Sequence, residues 1–181
     1  MKELEYPFDA AYIIKKRKSL KKTLLADGTS RIRKKIAVFG GSTTSDIVKT
    51  LELFLLDAGI EPEFYESEYA QYFQDAMFPD ETLLSFKPDI VFIHTTNRNV
   101  TDWPEMTDTT EQIDEKLHTE INRFTAMWKS IAEKFHCPII QNNFEMPLYR
   151  LLGSRGAWVI HGRTNFLTRL NAAFYAFARE N

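Results

Sequence analysis

The stretch "IAVFGGSTTSDIVKTLELFLLDAG", from Ile36 to Gly59, sets the architecture of the chain. It opens with an uninterrupted apolar run that ends in Gly40 and Gly41, which is typical of a strand buried on both faces of a sheet. From Ser45 onward, apolar residues recur at helical spacing until Gly59 ends the pattern. The stretch therefore predicts a strand, a tight turn and a helix in direct succession.

The same alternation of strands and helices continues along the rest of the chain. Three further strands are predicted in "EPEFYES" (61–67), "PDIVFIHTT" (88–96) and "CPIIQNNF" (137–144), with helices near 111–135 and 164–179. Strands that alternate with helices form a parallel sheet covered on both sides, with right-handed crossovers. We therefore predict an α/β fold, a three-layer α/β/α sandwich with at least four parallel strands.

Length and composition limit the classes of protein that the chain can belong to. Its 181 residues, 44% of them hydrophobic, suit one globular domain with a single sizeable core. No apolar run approaches the ~20 residues that a membrane span needs, and the first residues lack the order of a signal peptide. We therefore expect a cytoplasmic protein without a membrane partner. The single cysteine, Cys137, can form no internal disulfide and has no zinc-type spacing to other ligands.

The net charge of −2 conceals an asymmetry along the chain. Residues 1–35 carry 11 Lys and Arg against 4 Asp and Glu, whereas residues 36–181 carry 12 against 21. The basic residues of 15–22 alternate with apolar ones, which predicts an amphipathic helix in a basic N-terminal arm, lying against the acidic body or a partner. No aromatic residue interrupts the basic run to stack on bases, so nucleic acid is not expected as a partner.

Polar residues follow three of the predicted strands at the point where each strand ends. Because the carboxyl ends of parallel strands lie at the same edge of a sheet, we expect a pocket there. Its candidate residues are Gly40, Gly41, Ser42 and Thr43 after the first strand, His94 and Asn97 at the end of the third, and Asn142 after the fourth.

The turn "GGSTTSD" leaves two interpretations of Ser42 open. It has neither the G-x-G-x-x-G pattern of a dinucleotide fold nor the Lys-Ser/Thr ending of a P-loop, so a nucleotide cradle is not predicted. A tight strand-to-helix turn with Thr44 or Ser45 as the N-cap explains the residues that follow. Ser42 is then either a turn residue whose hydroxyl satisfies backbone groups or a nucleophile that needs a base.

The other polar candidates also have structural interpretations. Asn97 either lines the pocket or closes its loop, because Asn is both an amide donor and a turn former. His94 ends an apolar strand and is interpreted as a partly buried, hydrogen-bonded side chain rather than a base. The carboxylates of Asp102, Glu105 and Asp108 lie among turn formers and are interpreted as a solvated rim, so no metal site is predicted.

Two of these motifs resemble those of a known hydrolase family. The first strand with "GGST" resembles the Gly-Asp-Ser block of the SGNH (GDSL-type) hydrolases, and "HTTNRN" resembles their Gly-x-Asn-Asp block. The resemblance implies Ser42 as the nucleophile and Asn97 as an oxyanion donor. The chain departs from the family at Gly41, Thr95 and Arg98, where the family has Asp, Gly and Asp. It also lacks a downstream Asp-x-x-His, and a serine hydroxyl without a base is a weak nucleophile near neutral pH.

The chain as a whole resembles the N-terminal region of FkbH-like proteins, subfamily IIIC of the HAD superfamily. The resemblance runs in order through "YPFD" with its basic helix, "GGSTTSDI", "LELFLLDAGIEPEFYESEY", "FKPDIVFIHTTNRN" and "QNNFEMP". In that family an SGNH-like domain precedes a HAD phosphatase-type domain with a D-x-D-x-T motif and bound magnesium. The complete proteins are associated with loading a glyceryl group from a phosphorylated glycerate onto an acyl carrier protein thiol.

This resemblance implies an accessory role for the chain. A basic helical arm (1–35) precedes an SGNH-like, flavodoxin-like domain (36–181) that lacks its last strand and is a fragment of a longer protein. No D-x-D-x-T occurs, so magnesium is expected only in a separate HAD domain and no cofactor in this chain. The expected partners are an acyl carrier protein or that HAD domain. The alternative is a self-contained esterase or deacetylase that uses Ser42.

Overall fold

The computed structural model describes every residue from Met1 to Asn181. Its strands are β1 (Ile32–Gly40), β2 (Ile60–Glu66), β3 (Ile90–His94) and β4 (Ile139–Gln141). Its helices are α1 (Ala10–Ala26), α2 (Ser45–Asp57), α3 (Tyr72–Met77), α4 (Glu81–Phe86), α5 (Thr110–Phe135) and α6 (Arg163–Glu180), with short 3₁₀ turns at Lys2–Leu4, Asn97–Asn99 and Gly153–Ala157. None of the helices is both long and apolar enough to cross a bilayer.

The four strands form one parallel sheet in the order β2-β1-β3-β4. This order reproduces the first four positions of the flavodoxin-like order 2-1-3-4-5. The predicted α/β fold with a parallel sheet is confirmed. The sheet ends at β4, a three-residue edge strand whose Ile140 is 53% exposed.

The main core lies on one face of the sheet. Buried residues of β1 and β3, including Phe39 and Ile93, contact α3, α5 and α6 there. The amphipathic α5 contributes Phe124 and Trp128, whose rings each lie 4.8 Å from that of Phe174 in α6. Burial of each such side chain contributes about 1.5–3 kcal/mol, so these two helices are fixed firmly against the sheet.

The opposite face of the sheet is covered by α2, and α1 packs on the outside of α2. Leu20 and Leu24 of α1 are buried in a cluster with Leu53 and Leu56 of α2. Arg31 joins the ends of the two helices, because its guanidinium donates to the carbonyls of Leu24 at 2.7 Å and Leu56 at 2.8 Å. The predicted basic arm therefore contains a helix that lies against the body of the protein, and its residues 32–35 form the first part of β1.

Two short helices between β2 and β3 were not predicted from the sequence. α3 and α4 have six residues each, too few for a helical pattern to repeat. A local signal for α4 exists in Asp80, whose carboxylate accepts a hydrogen bond from the Leu83 N–H at 2.8 Å and caps the helix. α3 is stabilised instead by tertiary contacts, with Tyr72 and Ala76 buried in the main core.

Candidate functional site

The turn after β1 is fixed by hydrogen bonds from both neighbouring strands. The N–H of Gly41 donates to the carbonyl of His94 at the end of β3, at 2.8 Å. On the other side, the buried Thr44 donates its hydroxyl to the carboxylate of Glu66 at the end of β2, at 3.0 Å. Of the two predicted N-cap candidates, Thr44 occupies this position in α2, but its hydroxyl contacts Glu66 instead of capping the helix.

Asn99 holds the carbonyl of Gly41. Its side-chain nitrogen donates to the Gly41 carbonyl at 2.9 Å, and its side-chain oxygen accepts from the Thr96 N–H at 2.8 Å. A Cβ at position 41 would lie only 2.4 Å from the Asn99 side-chain oxygen, and one at Gly40 would lie 2.7 Å from Thr44. Both glycines are therefore required by close packing of the turn.

Ser42 follows directly on this fixed peptide and is half-buried. Its hydroxyl takes part in none of the hydrogen bonds of the structure, neither to backbone groups of the turn nor to a histidine or carboxylate. The Ser42 hydroxyl thus forms no hydrogen bond with the backbone and none with a group that could act as its base. Such a hydroxyl can bind a ligand as donor or acceptor, but it has no group positioned to remove its proton.

Asn97 lies at the same edge of the sheet but is paired with another residue. Its side-chain amide donates to the carboxylate of Glu145 at 2.9 Å, and its backbone N–H donates to the same carboxylate at 3.1 Å. These bonds join the loop after β3 to the loop after β4. Asn97 therefore closes the loop in this structure, and the amide that contacts the Ser42 turn belongs to Asn99.

His94 is half-buried at the end of β3, as predicted, but its ring forms no hydrogen bond in the chain. Burial lowers the pKa of His94, and the nearby Glu145 carboxylate partly offsets this effect. The imidazole is therefore biased toward its neutral form, which accepts a proton more weakly than an ordinary histidine.

Asn142 and Thr43 have contrasting environments. Asn142 accepts a hydrogen bond from the Thr95 N–H at 2.9 Å and donates to the Thr95 carbonyl at 2.7 Å, so its side chain extends the pairing of β3 and β4. Thr43 is exposed beside Ser42. Thr43 is therefore more open to a ligand than Asn142, whose half-buried amide is already bonded to Thr95.

A buried ion pair supports the loop that carries Asn99. Arg123 donates to the Asn99 carbonyl at 2.8 Å, to the Tyr72 hydroxyl at 2.8 Å and to the Glu120 carboxylate at 2.7 Å. Glu120 is fully buried and also accepts from the N–H of Thr101 at 2.8 Å. Since every member has partners, this network fixes the position of Asn99 and, through it, of the Ser42 turn.

Three aspartates of the loops and short helices have protein partners. Asp102 and Asp108 form ion pairs with Lys116 at 3.1 and 3.0 Å. Asp75 accepts a hydrogen bond from the hydroxyl of Ser67, just after β2, at 2.5 Å. Burial raises the pKa of Asp75, and this half-buried carboxyl was not identified from the sequence. No three His, Cys, Asp or Glu side chains are grouped to hold a metal ion.

The residues that the sequence did not reveal are Asn99, Arg123 and Glu120. The pattern "NRN" contains two asparagines, and the choice between them depends on which one reaches Gly41. Arg123 and Glu120 lie three positions apart on α5, a spacing that allows an ion pair on any helix. Nothing in the local sequence shows that this pair is buried.

The fold and the site define a doubly wound α/β protein whose polar loops gather at the carboxyl ends of its strands. No protein-family model and no curated protein matches the chain. Among solved structures, the chain is similar to the N-terminal part of the protein BF1531 from Bacteroides fragilis, which contains a phosphatase domain and was crystallised with Mg. The TM-score is 0.71 at 18% identity, over 91% of this chain and 42% of that one. The chain thus spans less than half of that structure, and the likeness is one of fold.

Proposed function

We propose that the chain is the SGNH-like N-terminal domain of an FkbH-like protein of the HAD superfamily. In this proposal it is an accessory unit for phosphatase or glyceryl-transfer chemistry that a separate HAD domain performs on an acyl carrier protein thiol. The observation that carries the proposal is the Ser42 hydroxyl, which lies at the carboxyl edge of the sheet without any base. The fold likeness to the N-terminal part of a phosphatase-containing protein supports it.

The contacts around Ser42 suit binding better than catalysis. The backbone of Gly41 is held at both its N–H and its carbonyl, so the turn is rigid. Ester hydrolysis by a serine nucleophile needs a general base within hydrogen-bond reach of the serine hydroxyl. Neither His94 nor Glu66 forms a hydrogen bond with Ser42. A rigid loop with free Ser42 and Thr43 hydroxyls can instead position a polar group of a substrate or partner for chemistry elsewhere.

The expected partners fit the charge of α1. Arg17 and Lys21 form ion pairs with Asp46 and Glu52 of α2, at 3.0 and 2.7 Å. The other four lysines of this helix are exposed and form no ion pair: Lys15, Lys16, Lys18 and Lys22. Because acyl carrier proteins are generally acidic, this exposed basic surface supports docking of a carrier protein or of an acidic face of the HAD domain.

The proposal is tested by measuring ester hydrolysis with the purified chain. Turnover of p-nitrophenyl acetate is compared among the wild type, Ser42→Ala and Thr43→Ala, the last a matched loss of an exposed neighbouring hydroxyl. We expect all three to stay near the uncatalysed rate. A wild-type rate that Ser42→Ala alone reduces by more than about 100-fold, the loss typical of a catalytic group, would contradict the accessory role.

The alternative function, a serine esterase or deacetylase, is favoured by one observation. Ser42 is half-buried with an unbonded hydroxyl, and the residue before it, Gly41, contacts the Asn99 amide, which is the kind of donor that stabilises an oxyanion. In this structure that amide is engaged with the Gly41 carbonyl. The same assay separates the two functions, since an esterase needs Asn99 as well as Ser42 and would lose activity in Asn99→Ala.

A further inference from the structure

A cavity of about 280 Å³ lies away from the Ser42 turn, beside the start of α6. Residues 104–106, 149–152 and 161–164 line it, together with Gly156. A Cβ at Gly162 would lie 2.1 Å from the Gly156 carbonyl oxygen, so two chain segments cross closely at the cavity and position 162 needs glycine. At ~30 Å³ per water molecule, the space suits a small organic molecule.

The charged groups that line the cavity are mainly positive. Arg150 and Arg163 both line it, and neither guanidinium forms an ion pair. Arg163 stacks on the ring of Trp103 at 4.9 Å, which orients it without neutralising it. The one carboxylate in the lining is that of Glu105. His161 also lines the cavity, with its Nε2 3.0 Å from the Asp108 carbonyl.

The start of α6 adds to this positive environment. Its N-cap is Gly162, which offers no side-chain acceptor, and its first turn contains no acidic residue. Most helices place a carboxylate or hydroxyl at this end, because the first N–H groups lack partners within the helix. Here the first helical residue is instead Arg163. Two arginines and the first turn of α6 thus border one cavity, and neither arginine forms an ion pair.

We propose that this cavity binds a small organic phosphate. A phosphate monoester carries close to two negative charges and three acceptor oxygens, enough to bond both arginines and backbone N–H groups together. Met106, Tyr149 and Leu151 are 66%, 85% and 74% exposed and border the same cavity, so they can cover an apolar part of the ligand. The inference goes beyond the proposed accessory role and shares no residue with the Ser42 site, so the ester-hydrolysis test and the binding test below can fail separately.

The test uses phenyl phosphate as the probe, titrated into the full chain and followed by two-dimensional NMR of the backbone amides. We expect saturable shifts at Thr164 and its neighbours. Arg150→Gln removes an exposed guanidinium and should weaken binding about tenfold, the loss expected for one charge-assisted hydrogen bond. Arg163→Gln should act in the same direction. The matched control is Arg155→Gln, an exposed arginine of the same segment outside the cavity, which should change the affinity less than twofold.

Parallel titrations with inorganic phosphate, benzoate and phenol separate the contributions of charge and ring. We expect phenyl phosphate to bind more tightly than each of them. Benzoate binding equally well would overturn the phosphate assignment, and phenol binding equally well would overturn the role of the arginines. Absence of saturation up to millimolar concentrations, or equal affinity in Arg150→Gln and Arg155→Gln, would overturn the site itself. Circular dichroism of each variant confirms that the fold is retained.

Discussion

The side-chain nitrogen of Asn99 donates a hydrogen bond to the carbonyl of Gly41 at 2.9 Å, joining the loops that follow β3 and β1. These two residues are 58 positions apart in the chain. Their closeness leaves no room for a side chain at position 41, where a Cβ would lie 2.4 Å from Asn99. This contact therefore explains why the residue before Ser42 is glycine. The SGNH pattern has Asp at the same position.

Gly41→Ala should destabilise the fold by about 1–3 kcal/mol, the usual cost of overpacking a rigid site. The free energy of unfolding in urea measures this effect. In the double variant Gly41→Ala/Asn99→Ala the clash is absent, so its cost should be smaller than the sum of the two single costs. Thr43→Ala, an exposed substitution in the same turn, is the control and should lie within about 0.5 kcal/mol of the wild type. Additive costs would show that the two residues are not in contact.

Arg123→Met should cost about 3–5 kcal/mol, because it leaves the fully buried Glu120 carboxylate without its cationic partner. The matched control is Lys129→Met, which removes an exposed cation from the same helix and should be nearly neutral. Thermal or urea unfolding measures both. Adding Glu120→Gln to Arg123→Met should restore part of the loss, since no buried charge then remains unpaired. A loss for Arg123→Met as small as that for Lys129→Met would contradict a supporting role for the pair.

The order and type of the main elements could be predicted because their signals are local. An apolar run ending in glycines predicts β1, and the helical spacing that starts at Ser45 predicts α2; both lie where expected, with β1 beginning at Ile32. Helices α3 and α4 were not predicted because six residues are too few for the helical spacing of apolar residues to repeat. Such short helices form through tertiary contacts, and their existence depends on residues far away in the chain.

The site was predicted less completely than the fold. The edge of the sheet could be identified, since parallel strands end together, and Ser42, Asn97 and Asn142 all follow strands that end there. Their hydrogen-bond partners could not be identified. The contacts of Asn97 with Glu145 and of Asn142 with Thr95 span 48 and 47 positions, respectively, and they depend on loop geometry that no local pattern encodes.

Asp75 and Asp89 should give opposite contributions to the pH dependence of stability. Burial raises the pKa of Asp75 above its ordinary value of 3.8. Its contribution to stability is therefore fully present below pH 3.8 and is lost as the pH rises through the raised pKa. The Lys35 N–H lowers the pKa of Asp89, so its contribution is present above 3.8 and is lost as the pH falls through the lowered pKa.

This pair is tested with Asp75→Asn and Asp89→Asn, each unfolded in urea across the acidic range. Relative to Asp75→Asn, the wild type should become less stable as the pH rises above about 4. Relative to Asp89→Asn, it should become less stable as the pH falls. Carboxyl-carbon NMR titration of each aspartate checks the direction independently. The same sign of change for both variants would contradict the assigned environments.

The exposed and the ion-paired cations of α1 should affect different measurements. Lys15, Lys16, Lys18 and Lys22 form no ion pair, so changing all four to Gln should weaken binding to an acidic carrier protein at low salt and leave the stability of the chain nearly unchanged. Arg17→Gln/Lys21→Gln instead removes the ion pairs to α2. Exposed pairs of this kind contribute about 0.2–1 kcal/mol each and are screened by salt, so this variant should lower stability mainly at low ionic strength.

Changing Lys2, Lys49, Lys87 and Lys129 to Gln removes the same charge from other exposed positions and is the matched control for binding. If this control weakens carrier binding as much as the α1 variant does, the attraction is a general effect of charge. The helix would then serve only to stabilise α2.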